Sequence, residues 1–177
     1  MHNKHYLLVD GYNIIHTDAA LKALAETSLE LARDKLIHIL QNYKGQRKYE
    51  VIIVFDAHLL KNSLGEIMEH GNITVIYTRE AETADNYIER TSRQLTAAYD
   101  VTVATSDGLE QIIITGSGAH VMSARELLFD IKEAELFIRN KIEEIRPIKN
   151  NQLLDNLDGD MLEILEQMRY YKGVQKL

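Results

Sequence analysis

There is no cysteine among the 177 residues. That excludes a disulfide framework and any cysteine-based zinc or iron–sulfur site. The single proline, Pro147, leaves no proline-rich linker. No uninterrupted apolar stretch approaches the length of about 18 residues that spans a bilayer, so no membrane partner is expected. The first apolar run, Tyr6-Leu7-Leu8-Val9, is too short for the core of a secretory signal and ends in an acid, Asp10. The expected compartment is the cytoplasm. Positive charge is scarce too: 20 Lys and Arg face 27 Asp and Glu, a formal net charge of −7. Proteins that coat nucleic acid electrostatically are basic, so that mode is disfavoured. An acid-lined site that recruits a cation is compatible with this balance, because bound metal reverses the local sign.

What is present is ordinary for one globular domain: 45% hydrophobic and 27% charged residues. Residues 6–10, 51–56, 73–78 and 101–106 are apolar runs of strand length, and 119–122 is a shorter fifth. Continuous apolar runs of this kind fit strands buried on both faces. Helical periodicity covers 19–25, then a longer stretch capped by Thr27 or Ser28 and ended by Gly45. Further helices are expected over 84–98, 107–115 and 123–145. Asp107 with Glu110, and Ser123 with Glu126, have capping-box spacing. Residues 57–71 read as mixed, with a loop over 61–71 suited to contacting a large partner. Strands alternating with crossover helices predict an α/β fold of three layers, a central parallel sheet of four to five strands with helices on both faces. One domain is expected over residues 1–148, with 149–177 a linker and a C-terminal helix packed on it.

Asp10, Asp56 and Asp107 each follow a strand directly, and Asp85 lies in the first turn of the helix after the third strand. In a parallel sheet the strand ends share one rim, where ligands bind. Each acid alone also fits a turn or a helix cap. Together they are like charges that need a compensating cation. Carboxylate oxygens, with no cysteine and no paired histidines, suit Mg²⁺ or Mn²⁺. Such a site supports metal-assisted phosphodiester hydrolysis. Other phosphate chemistries fail by residue. Tyr12 stands where a dehalogenase-type phosphatase needs its second acid, no lysine follows the last strand as in a receiver domain, and there is no P-loop.

The segments Leu7-Leu8-Val9-Asp10-Gly11-Tyr12-Asn13, Val54-Phe55-Asp56-Ala57-His58, Glu82-Thr83-Ala84-Asp85, Ala104-Thr105-Ser106-Asp107, Gly116-x-Gly118-Ala119 and Ser123-Ala124-Arg125-Glu126 resemble, in order, the motifs of the YacP-like NYN domain family of PIN-like ribonucleases. The resemblance covers roughly residues 5–147. It implies a small α/β metal-dependent endoribonuclease that cuts single-stranded RNA internally, with mRNA as substrate, the ribosome as a partner and no DNA substrate. It implies Asp10, Asp85 and Asp107 as metal ligands, with Asp56 direct or one shell out. It implies that Asn13 orients water or the scissile phosphate and that Ser106 supports the site through its hydroxyl. The alternative is a non-catalytic RNA- or ribosome-binding module on the same fold.

Other residues have two readings each. Tyr12 either stacks on a base or packs beside the first strand. His58 either touches RNA or is an ordinary loop residue, the second favoured because no other His shares a ligand spacing with it. Tyr170 and Tyr171 are read as packing the last helix. Lys44, Arg47 and Lys48, and Arg139, Lys141, Arg146 and Lys149, are basic clusters that either face solvent or hold an RNA backbone.

Overall fold

The apolar runs fold as strands because each can bury both of its faces between helices. The structure, a computed structural model, describes residues 4–56 and 64–145. In chain order the elements are β1 (His5–Asp10), α1 (Gly11–Thr17), α2 (Ala19–Thr27), α3 (Leu29–Gln46), β2 (Tyr49–Phe55), β3 (Leu64–His70), β4 (Ile73–Arg79), α4 (Ala84–Leu95), β5 (Asp100–Ala104), α5 (Gly108–Gly116), β6 (His120–Met122) and α6 (Ala124–Ile145). The chain forms two compact units, residues 1–137 and 138–177, and only the end of α6 is described in the second. The readings of His58, Tyr170, Tyr171, the linker and the last helix lie outside the described residues. No described helix is long and apolar enough to cross a membrane.

The strands form one sheet in the order β3-β4-β2-β1-β5-β6. All neighbours are parallel except β3 and β4. From β1 the chain moves to β2 on one side and later returns to β5 on the other. The strand order therefore reverses between β1 and β5, and a crevice opens at their carboxyl ends. Alternation along the strands divides the core. Leu7, Val9, Ile53, Phe55 and Val75 pack with Ile14, Ile15, Leu36, Leu40, Leu127 and Ile131 of α1, α3 and α6. Leu8, Val54, Ile76 and Val103 face Ile88 of α4 and Ile114 of α5. Each fully buried Leu or Ile here contributes about 1.5–3 kcal/mol by leaving water.

Two elements depart from the sequence reading. The turn expected after Asp10 is a helix, α1, whose first residue is Gly11 and which carries the β-branched pair Ile14-Ile15; both features mask helical propensity. Its start is fixed instead by Asp10, whose side chain accepts from the Asn13 N–H at 3.1 Å. The loop expected over 61–71 contains a sixth strand: residues 64–70 form β3, antiparallel to β4. As an edge strand β3 has mostly exposed side chains, so it lacks the apolar run that marks the inner strands. Residues 61–63 lie outside the described residues.

Gly11 has no room for a side chain, since a Cβ there lies 2.2 Å from the Phe55 ring. Phe55 is itself fully buried and stacked on Tyr77. Gly11→Ala is expected to destabilise the protein by about 1–3 kcal/mol through overpacking. Urea unfolding, with the midpoint shifted and the slope unchanged, checks this.

Candidate metal centre at the carboxyl edge of the sheet

The rim carries the acids because strand and helix ends place them there. Asp10 is the last residue of β1 and the N-cap of α1. Asp85 is in the first turn of α4, which Thr83 caps through the Asn86 N–H. Asp107 caps α5, its Oδ1 accepting from the N–H groups of Leu109 and Glu110 at 2.8 and 3.1 Å. Asp56 follows β2 and is half-buried.

Carboxylate oxygens of Asp10, Asp85 and Glu110 all lie within 4.8 Å of one another. Asp56 and Asp107 stand close enough for their charges to act on this trio. The structure thus gathers the four expected acids at one rim and adds a fifth. By its spacing from Asp107, Glu110 is predicted to be the return arm of a capping box. It does not fold back: the Asp107 N–H donates to Thr105 Oγ1 instead. Glu110 turns inward, 5% exposed, and neither of its oxygens has a hydrogen-bond partner. One signal in the sequence pointed that way. Glu110 and Ile114 are four residues apart and share a helix face, and Ile114 is fully buried. The Ser123–Glu126 box does form, with Ser123 N–H on Glu126 Oε2 at 2.7 Å and Glu126 N–H on Ser123 Oγ at 3.2 Å.

Burial and crowding hold the trio toward its neutral form. Desolvation raises the Asp10 pKa to about 6; the charges of Asp85 and Asp56 add to this and the Asn13 N–H opposes it. Desolvation likewise raises Asp85, with Asp107 and Asp56 adding. Glu110 is pushed up to about 7, first by burial and then by Asp85, Asp10 and Asp107, while the nearby Thr105 hydroxyl offsets part of the shift. Buried carboxylates without donors are costly unless a cation or proton joins them. The donor set is all hard oxygen, so the residues fit a divalent cation of the Mg²⁺ or Mn²⁺ kind.

The remaining expected residues have definite places. Asn13 Oδ1 accepts the Ser106 N–H at 3.0 Å, tying α1 to the segment after β5. Ser106 Oγ accepts the Ala124 N–H at 3.2 Å and so holds the start of α6. Tyr12 packs: it is buried, its ring meets the Phe55 edge, and its hydroxyl accepts from Arg33 at 3.0 Å. In the first basic cluster Lys44 pairs with Glu50 at 2.6 Å and Arg47 with Asp130. Arg139 pairs with Glu143 at 3.5 Å. Arg146 and Lys149 lie outside the described residues.

This combination defines a class: an α/β protein of nuclease type, with a cation-poised acidic crevice at the switch point of a mostly parallel sheet. The family model of the YacP-like NYN domain matches residues 7–170. The chain belongs to that family, and the match runs past residue 147, where the motif resemblance ends. It is 44% identical over 140 residues to YacP of Bacillus subtilis strain 168, covering 78% of this chain and 82% of that protein. It is similar to two crystal structures of Rae1 (YacP) from Bacillus subtilis. One, of a point mutant, superposes with a TM-score of 0.71 at 39% identity, covering 83% of this chain and 86% of the other. The second gives 0.69 at 37% identity, covering 96% and 95%.

The raised pKa values set a pH dependence. A carboxyl that protonates more readily folded than unfolded makes the folded state the better proton binder. The Glu110 contribution is therefore full below its unfolded value of 4.5 and is lost as pH rises through about 7. In EDTA the melting temperature of the wild type should fall across that window, and Glu110→Gln should flatten the fall. Added Mn²⁺ should stabilise the wild type more at the alkaline end, because its ligands must be deprotonated. Calorimetry across pH with and without metal checks both.

Proposed function

We propose that this protein is a divalent-metal-dependent endoribonuclease of the cytoplasm that cuts single-stranded RNA, in particular mRNA presented by the ribosome. One observation carries the reading: the buried Glu110 carboxylate has no hydrogen-bond partner and lies with Asp10 and Asp85 inside 4.8 Å. An isolated buried charge costs several kcal/mol, so the trio is built for a cation rather than for stability. A divalent cation bound there supplies Lewis-acid stabilisation of phosphate charge and a water of lowered pKa.

The protein's own groups do the rest. Asp10, Asp85 and Glu110 would hold the cation, and Asp107 and Asp56, the other two expected ligands, would stand beside them and deepen the negative potential that draws it in. Asn13 has its Oδ1 committed to Ser106. Its amide nitrogen is the donor left for the scissile phosphate or the attacking water. Ser106 acts by position, joining the α1 and α6 starts through one backbone N–H and one hydroxyl. Water attacks the phosphorus and the bond to the leaving ribose oxygen breaks. With Mg²⁺ or Mn²⁺, single-stranded RNA should be cut and DNA left intact, and EDTA should stop the reaction. Asp10→Asn and Asp85→Asn should each abolish cleavage while the circular dichroism spectrum and cooperative unfolding persist. Full activity in both variants overturns the reading.

Delivery by the ribosome follows from charge. At a net charge of −7 the chain has little general affinity for naked RNA, since that affinity comes from Lys and Arg contacts to phosphates. The pairing of Lys44 and Arg47 with acids lowers it further. A large partner that presents an extended strand raises the local RNA concentration instead. The same transcript with its start codon intact or destroyed should therefore be cut well and poorly, respectively. Equal, efficient cleavage of both leaves a general single-strand endoribonuclease, and ribosome binding without any cleavage leaves the non-catalytic module.

A further inference from the structure

On the same rim, beside the acids, a cavity of about 410 Å³ opens between α4 and the β3–β4 hairpin. Its described lining includes Ile67, Ile76, Tyr87, Arg79, Arg90 and Glu82. We propose that this groove holds one unpaired base of the RNA strand next to the scissile phosphate, an inference that rests on the endoribonuclease reading above.

The groove exists because β3 turns straight back on β4. A parallel strand there would bring a crossover helix with it. Without one, the sheet face beyond α4 stays open and Ile67 is 67% exposed. Gly65 keeps the mouth wide. Its φ is +79°, and a Cβ there meets Arg79 Cγ at 2.6 Å. The missing side chain lets Arg79 lie across β3.

The chemistry of the walls selects a base over a phosphate. Arg79 and Arg90 are balanced by Glu66 and Glu82, and Arg90 pairs directly with Glu82. Two cations and two anions leave no net attraction for a phosphate. What remains is an apolar floor, Ile67 and Ile76, and a half-buried aromatic ring, Tyr87. The Arg90 guanidinium sits 4.9 Å from the Tyr87 ring centroid, which orients both planar groups. Carboxylates and guanidinium groups around such a ring offer acceptors and donors to base edges. Stacking on an aromatic ring, with a cation–π contribution from arginine, is one of the ways in which single strands are held.

Continuity with the acids runs along the sheet edge. Phe55 pairs with Tyr77 in the β2–β4 register, so Asp56, the next residue, lies beside Thr78, and Tyr77 and Thr78 both line the groove. The Asp56 charge in turn reaches Asp10 and Asp85. A strand whose phosphate sits at the acids therefore has a neighbouring base within reach of the groove. An account of the groove as incidental packing space predicts no such dependence on the base.

The test compares intact single-stranded RNA with the same RNA lacking one base near the cleaved bond, scanned by position. Wild type, Tyr87→Ala and Tyr87→Phe are assayed with Mn²⁺. The expected result is a loss in kcat/KM of about 10-fold or more for Tyr87→Ala, with little for Tyr87→Phe. At one position the abasic RNA should cost the wild type a similar factor and cost Tyr87→Ala nothing further, the coupling of a double-mutant cycle. Mn²⁺ affinity, measured by titration, should be the same in all three proteins. Additive losses at every position, or an unaffected Tyr87→Ala, overturn the proposal. Binding of the two RNAs with Ca²⁺ in place of Mn²⁺ separates the failures. A wild type that cuts no RNA with or without ribosomes overturns the nuclease reading, whereas equal binding of intact and abasic RNA at every position overturns the groove.

Discussion

Negative charge confined where water cannot screen it is the constraint around which this molecule is arranged. Asp10 is 8% exposed and Glu110 5%. Their repulsion is set by the parallel register of β1 and β5 and by the starts of α1, α4 and α5. Those starts supply partial compensation: the Asn13 N–H for Asp10, and the Leu109 and Glu110 N–H groups for Asp107. For Glu110 the nearby Thr105 hydroxyl offsets only part of the upward pKa shift. The helices that deliver the acids thus also set how much of the repulsion stays uncompensated, and that remainder makes the crevice compatible with a divalent cation.

The inner strands were legible because they are buried twice. Residues 51–55 sit between two helical layers, and no polar residue interrupts them. An edge strand has no such signature. In β3, Glu66 and Glu69 face solvent, and pairing with β4 is decided by a tight turn rather than by an apolar pattern. Three of the acids were legible as a set because strand ends in a parallel sheet share a rim, and Asp85 because it opens a helix there. Glu110 was hidden by a correct local rule. Its spacing from Asp107 fits a cap, and only the three-dimensional placement of Thr105, which takes the Asp107 N–H, frees the side chain to turn inward.

Several cations of this acidic chain are committed to its own side chains. Arg47 and the Tyr43 hydroxyl meet on Asp130, joining α3 to α6. Arg33 bonds Tyr12 and lies over the Tyr77 ring, 5.9 Å from its centroid. These residues knit the layer that backs the rim. Their positive charge supports architecture.

At the end of the hairpin away from the rim, Gln41 of α3 donates to the His70 carbonyl at 2.8 Å, and Asn72 donates back to the Gln41 carbonyl at 3.1 Å. The β3–β4 hairpin is thereby riveted to α3 at its closed end. Its β4 arm is also clamped along its length, paired with β2 from Thr74 to Tyr77, while β3 has β4 as its one strand neighbour among the described residues. Gly65 and Arg79 form the mouth of the groove beside α4, so one lip of that mouth is fixed by the sheet interior and the other belongs to an edge strand paired on one side only.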